Sequence, residues 1–155
     1  MPVVTTLNFV GRTEEALALY SEALDSETLF LMRFRDCPDK SHMQPGMEEM
    51  IFHATFRIDG TEFMASDVGY SEVNGKTNFA GFSLALSPES ISRATRIFAA
   101  LSIGGQVIIP LAKSSFTGWY GIVIDRIGIS WKINVRESVL NAEGEHFGDP
   151  KEITT

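Results

Sequence analysis

Along the chain the spacing of hydrophobic positions switches from that of a strand to that of a helix and back, and it does so twice. Val3 to Phe9 is rich in β-branched residues and stops at Val10-Gly11, the profile of a short buried strand. Thr13 then predicts the cap of a helix with Glu14 and Glu15 in its first turn. Leu17, Tyr20 and Leu24, with Ala16 and Ala23 beside them, form its single apolar stripe. The helix is expected to end near Asp25-Ser26, and Glu27 to Phe34 reads as a second strand. Asp36 to Glu49, with Pro38, Pro45 and Gly46 and few large apolar residues, reads as a long surface loop. From Met50 to Ile58 the alternation is clean: Phe52, Ala54, Phe56 and Ile58 share one face, and Ile51, His53, Thr55 and Arg57 the other. Asp59-Gly60 predicts a tight hairpin, because both turn positions require positive φ, so Thr61 to Ser66 pairs back as a fourth strand.

Asp67 to Thr77, containing Gly69, Asn74 and Gly75, has the polarity of a linker, and after it the order begins again. Phe79 to Leu86 predicts the fifth strand. Ser87-Pro88-Glu89 predicts a helix start, with a capping hydroxyl, proline at the first helical position and an acid at the positive end of the dipole. Ile91, Ala94, Phe98 and Leu101 form the buried stripe, Gly104-Gly105 ends the helix, and Gln106 to Ile109 is a strand stopped by Pro110. A hairpin over Tyr120 to Val135 closes the second half. The pattern is therefore α+β: two βαβββ modules, 1–66 and 78–136, joined by a linker at 67–77 within one domain of residues 1–136, then a tail over 137–155. Only the order of elements repeats, because the residue identities of the halves match poorly.

A length of 155 residues and 44% hydrophobic content suit one compact domain. The formal charge of -7 argues against nucleic acid or an anionic membrane as partner, since both require a basic face. Cys37 is the one cysteine, so no intramolecular disulfide can form, and it reads as an inert thiol in a polar loop. Met1-Pro2-Val3-Val4 lacks the character of a signal peptide and no apolar run approaches the roughly 20 residues of a membrane span, so a cytoplasmic protein is expected.

Leu7-Asn8-Phe9-Val10-Gly11 with Glu14-Glu15-Ala16-Leu17 and Tyr20, Met64-Ala65-Ser66-Asp67, Gly81-Phe82-Ser83-Leu84, and Asp125 through Val135 together resemble the PhnB-like proteins of the glyoxalase, bleomycin-resistance and extradiol-dioxygenase superfamily, the vicinal oxygen chelate fold. The resemblance spans residues 3 to 135. It implies that the two modules curl into a half-open curved barrel, with helices on the convex side and a ligand cavity on the concave side, and that the protein is a homodimer. Alternation agrees with that picture. Ile129, Trp131, Ile133 and Val135 would pack under the helices while Ser130, Lys132 and Asn134 look into the cavity, and Phe82, Leu84 and Leu86 would oppose Gly81, Ser83 and Ala85 in the same way.

Metal-dependent members of the superfamily place His, Gln or Glu ligands on the first, fourth, fifth and eighth strands. Carried onto this chain, those places hold Thr5, Met64 or Ser66, Ser83 and Lys132, none of them a usual ligand, so no metal and no cofactor is expected. His53 falls on the third strand, outside that set, and reads as a hydrogen-bonded or solvent-facing residue. His42 sits in the loop and His146 in the tail, and Glu48-Glu49 reads as solvated loop. Some relatives bear the label demethylubiquinone methyltransferase. Gly104-Gly105 follows a helix and Gly118 to Gly121 sits between strands, so neither cradles a nucleotide cofactor. No Gly-x-Ser-x-Gly elbow is present, and Cys37 has no histidine nearer than His42.

The leading expectation is a metal-free protein that binds a small, anionic molecule through Lys132, Ser83, Ser66 and Thr5, with Trp119 and Tyr120 as aromatic walls. The alternative is a lyase or isomerase of the same fold acting on a vicinal-oxygen substrate, with Lys132 as electrophile or metal recruited through other residues. A third class, a structural dimer with a collapsed cavity, differs from both in having no pocket.

Overall fold

A computed structural model describes residues 1–41, 43–67, 72–73 and 76–136. The first sheet has the order β1-β4-β3-β2, built from β1 (Thr6–Asn8), β2 (Glu27–Arg33), β3 (Ile51–Ile58) and β4 (Thr61–Ser66). The Asp67–Thr77 segment contains two two-residue strands, β5 (Glu72–Val73) and β6 (Lys76–Thr77), which pair with each other. The second sheet repeats the first in order β7-β10-β9-β8, from β7 (Leu84–Leu86), β8 (Gln106–Lys113), β9 (Trp119–Ile124) and β10 (Ser130–Val135). In each sheet the first strand pairs parallel to the last and the other pairs are antiparallel. The strand–helix–three-strand order read from the sequence is thus the order of both halves, and β1 and β7 are each the end strand of their sheet.

Helix α1 (Thr13–Leu24) lies on β2 and β3, and α2 (Ile91–Ser102) lies on β8, β9 and β10. The α1 stripe of Ala16, Leu17, Tyr20, Ala23 and Leu24 is buried as expected, with Leu19 added to it; on α2 Ala94 and Leu101 are buried, but Ile97 takes the central place and Ile91 and Phe98 are half-buried. They join Leu7, Phe9, Ala54, Phe56, Val123, Trp131, Ile133 and Val135 in a core that spans both modules. Full burial of each large side chain contributes about 1.5–3 kcal/mol, so this shared core is the dominant adhesive between the halves. Tyr20 meets Trp131 edge-on at 5.3 Å and stacks near Phe56 at 6.0 Å, bringing aromatic rings of both halves into one cluster. Asp25 ends α1 in the left-handed conformation (φ 54°), and its carboxylate accepts from Arg96 of α2 at 3.1 Å. Among the described residues no helix is long and apolar enough to cross a membrane.

Several local expectations are corrected. Helix α2 starts three residues later than Ser87 suggested: Ser90 is the N-cap, accepting from the Arg93 amide at 3.1 Å, and Glu89 reaches forward to the Arg93 guanidinium at 2.9 Å. Thr13 does not cap α1 with its own side chain, because its hydroxyl and amide both donate to Asp67. Strand β8 runs through Pro110 to Lys113. It is an edge strand and its pairing with β9 shifts between Ile109 and Ala112, so the missing N–H costs no ladder bond there. Strand β7 spans only Leu84–Leu86, and a turn with Gly81 at φ +85° precedes it, so Phe82 stands 41% exposed instead of packing under the helices. Finally, the loop after β2 is anchored: Phe34 and Cys37 are buried in it. His42, His146 and the tail 137–155 fall outside the described residues.

Candidate functional site

Each sheet has one face under the helices and one open face, and strand register decides which side chains reach the open one. In the second sheet Trp131, Ile133 and Val135 are buried under α2, so their neighbours Ser130, Lys132 and Asn134 take the open face. Register adds partners directly opposite: Ile124 beside Ser130, Ile122 and Ala85 beside Lys132, Tyr120 beside Asn134. The Ser83 hydroxyl, just before β7, donates to Ser130 Oγ at 2.9 Å, and Thr117 donates to Asn134 Oδ1 at 2.7 Å. Phe116 stands edge-on to Tyr120 at 5.1 Å. Lys132 is exposed and forms no ion pair among the described residues. The result is a neutral, hydroxyl- and amide-bearing surface with a cation on its central strand.

Ser83, Tyr120 and Lys132 are therefore gathered on one face, whereas the other three expected residues lie elsewhere. Trp119 pairs opposite Val135, on the helix-covered face, and packs against the core, since adjacent residues of a strand point to opposite sides. Ser66, at the end of β4, is buried and opposes Asn8 in the first sheet. Thr5 precedes β1, its carbonyl accepting from the Met64 amide at 3.0 Å, and alternation sets it with buried Leu7 and Phe9. Thr6 and Asn8, not Thr5, lie on the same side of the first sheet as Met64 and the buried Ser66. On the same sheet His53 approaches Thr55 Oγ1 at 3.3 Å and Phe30 at 6.0 Å.

Clefts line the seam between the modules. One, of about 220 Å³, is lined by Ile58, Phe63, Leu84, Leu86 and Trp131 together with Asp59, Thr61 and Ser87, and Lys132, on the other face of β10, is not among its walls. Another, of about 160 Å³, lies between β1 and residues 78–82.

Two buried carboxylates organise the loops around these faces, and neither was legible as functional or structural from residue type. Asp67 Oδ1 accepts from the Gly11 amide at 2.7 Å, the Thr13 amide at 3.0 Å and the Thr13 hydroxyl at 2.6 Å, while Oδ2 accepts from the Ile51 amide at 2.8 Å. Gly11 (φ +88°) permits that tight turn, and a Cβ there would lie 3.1 Å from Met50 Cε. The amides at the start of α1 thus face a carboxylate of the chain itself. Asp125 Oδ1 accepts three amides, from Ile127, Gly128 and Ile129, and Oδ2 accepts from Tyr20 at 2.9 Å and Trp131 Nε1 at 2.8 Å. Burial, and then the adjacent Asp125 charge, push the Tyr20 phenol far above its ordinary value. Among the described residues no three His, Cys, Asp or Glu side chains converge as metal donors.

Comparison with known proteins places this geometry. Residues 2–134 match the family described as 3-demethylubiquinone-9 3-methyltransferase. The chain is 32% identical over 143 residues to Protein YjdN of Escherichia coli K12, covering 87% of this chain and 95% of that one. It resembles the solved structure of a putative 3-demethylubiquinone-9 3-methyltransferase, PhnB protein, from Bacillus cereus, with TM-score 0.73 and 30% identity over 87% of this chain and 99% of that chain. Protein PA1353 from Pseudomonas aeruginosa gives TM-score 0.74 and 28% identity over 88% and 98%. A glyoxalase-related enzyme from Fulvimarina pelagi, 21% identical with TM-score 0.53 over 88% of each chain, shares the fold.

Proposed function

We propose that this chain, which belongs to the 3-demethylubiquinone-9 3-methyltransferase family of PhnB-like proteins in the vicinal oxygen chelate superfamily, binds a small anion with an apolar body and does so without a metal ion. The observation that carries the reading is Lys132, a cation without an ion-pair partner among the described residues, set amid Ser83, Ser130, Asn134 and Tyr120. An exposed lysine on an otherwise neutral face is a donor to carboxylate or phosphate oxygens. On the same open face Ile122, directly opposite Lys132, and the Tyr120–Phe116 pair offer apolar surface to the remainder of the guest.

The superfamily's divalent ion does not suit these residues. Met64, Ser66, Ser83 and Lys132 supply a thioether, two hydroxyls and an ammonium where imidazole or carboxylate donors are required. The methyl donor implied by the family's description also finds no cradle at the strand-to-helix junctions. The Gly11 and Thr13 amides are bonded to Asp67 and the Arg93 amide to Ser90. A cytoplasmic homodimer completes the proposal.

A thermal-shift screen of carboxylates and phosphates, with and without divalent metals, identifies the guest. Lys132→Met is expected to weaken its binding by about 1.5–3 kcal/mol, the scale of a hydrogen bond to a charged group. Unchanged affinity for every anionic hit rejects the role of Lys132. Elemental analysis of protein purified without chelator checks the metal, and one ion per chain held by strand side chains overturns that part of the reading.

A further inference from the structure

We propose that the cleft between β1 and residues 78–82 is a separate binding site, one that takes a planar, uncharged group with an amide-like edge. The cleft has a volume of about 160 Å³ and is lined by Thr6, Leu7, Asn8, Asn78, Phe79 and Phe82. A cavity of about 150 Å³ holds one benzene-sized ring, so the space suits a single ring with a small substituent.

The chemistry of the lining selects which ring. None of the six side chains carries a formal charge, so a carboxylate or ammonium entering here would lose hydration that nothing replaces. Asn8 and Asn78 each present a carbonyl and an NH2 group, and neither side chain has a hydrogen-bond partner among the described residues. A ligand edge with neighbouring C=O and N–H groups, as in a carboxamide or lactam, is their complement. Phe79 is fixed against Phe9 at 5.5 Å, and Phe82 meets Phe79 edge-on at 6.4 Å and 83°. Phe82 remains 41% exposed, so an aromatic surface is available to a third ring beside this pair. The positive φ of Gly81 turns the chain there and holds Phe82 out of the core.

This site shares no residue with the Lys132 face and does not rest on the anion reading. Its probe is benzamide, titrated into the full-length protein and followed by saturation-transfer NMR, with benzoate as the charged comparator. Benzamide is expected to bind saturably at millimolar concentration or below, with benzoate a poor competitor. Asn8→Ala and Asn78→Ala should each weaken it about fivefold or more, and Lys132→Met should leave it unchanged. Absence of saturable binding, Asn variants that bind like the wild type, displacement by benzoate as effective as by benzamide itself, or loss of binding in Lys132→Met overturns the proposal. Asn78 lies outside the strands, so Asn78→Ala keeps the test readable if Asn8→Ala disturbs β1.

Discussion

Tyr20 carries a measurable signature of the core. Its ring is fully buried and its hydroxyl donates to Asp125, so the phenolate is disfavoured first by lost hydration and second by the carboxylate's charge. A group whose folded pKa is raised contributes stability that is complete below its unfolded value and is lost as pH climbs beyond it. With an ordinary value of 10.0, stability is expected to fall above about pH 10, one of the chain's three tyrosines ionising only as the protein unfolds. Tyrosinate absorbance and circular dichroism followed together should show that coupling, and Tyr20→Phe should remove it. A wild-type protein in which every tyrosine ionises before structure is lost refutes it. At this scale the sequence was informative where alternation alone decides. It isolated Lys132 and Ser130 on one side of β10 and Trp131 on the other. It set Trp119 and Tyr120 on the same wall, and the structure separates them, because strand neighbours diverge and Trp119 turns to the core. It also misplaced Thr5, because a three-residue strand has too few alternations to fix its phase.

Between residue and molecule, the elements were legible where a local rule is sufficient and obscure where a distant partner overrides it. Asp59-Gly60 makes the β3–β4 turn as expected, although only Asp59 (φ 49°), not Gly60, takes the positive φ expected of both positions. Ser87-Pro88-Glu89 satisfies the same kind of rule and still yields to Ser90, whose side chain can reach the Arg93 amide. Pro110 stops a strand only if its N–H is wanted, which depends on whether β8 lies at an edge. The packing of α2 onto β9 rests on Gly121, where a Cβ would lie 2.9 Å from Phe98 Cε2 and 2.8 Å from Leu111 Cα. Gly121→Val therefore forces helix and strand apart and should destabilise the protein by about 1–3 kcal/mol, read as a lower denaturant midpoint. A midpoint equal to that of the wild type would show that α2 does not approach β9 so closely.

For the whole molecule, the repeated order of elements was visible in the sequence, while the seam between the halves was not, since pairing edges and clefts arise only once the sheets exist. The two outermost strands stand out. Phe30 on β2 and Ile108 on β8 are 46% and 45% exposed, with Leu29, Leu31, Val107 and Ile109 also open to solvent. Apolar edges of this kind are covered in stable soluble proteins, and a second copy is the partner we expect. Light scattering at micromolar concentration should report twice the 17.1 kDa chain mass, and Ile108→Glu should shift it toward monomer. Monomer alone for the full-length chain counts against the dimer.

Asp125 adds a consequence for how the protein comes apart. One oxygen of its carboxylate holds Tyr20 from the first half and Trp131 from the second, so neither half can open without leaving a buried charge short of a donor. The duplicated architecture should thus not behave as two independent folding units. Amide exchange in α1 and β10 should converge on one opening free energy as denaturant rises, and a chain cleaved within the linker should stay together as a pair of fragments, each requiring the other to be native.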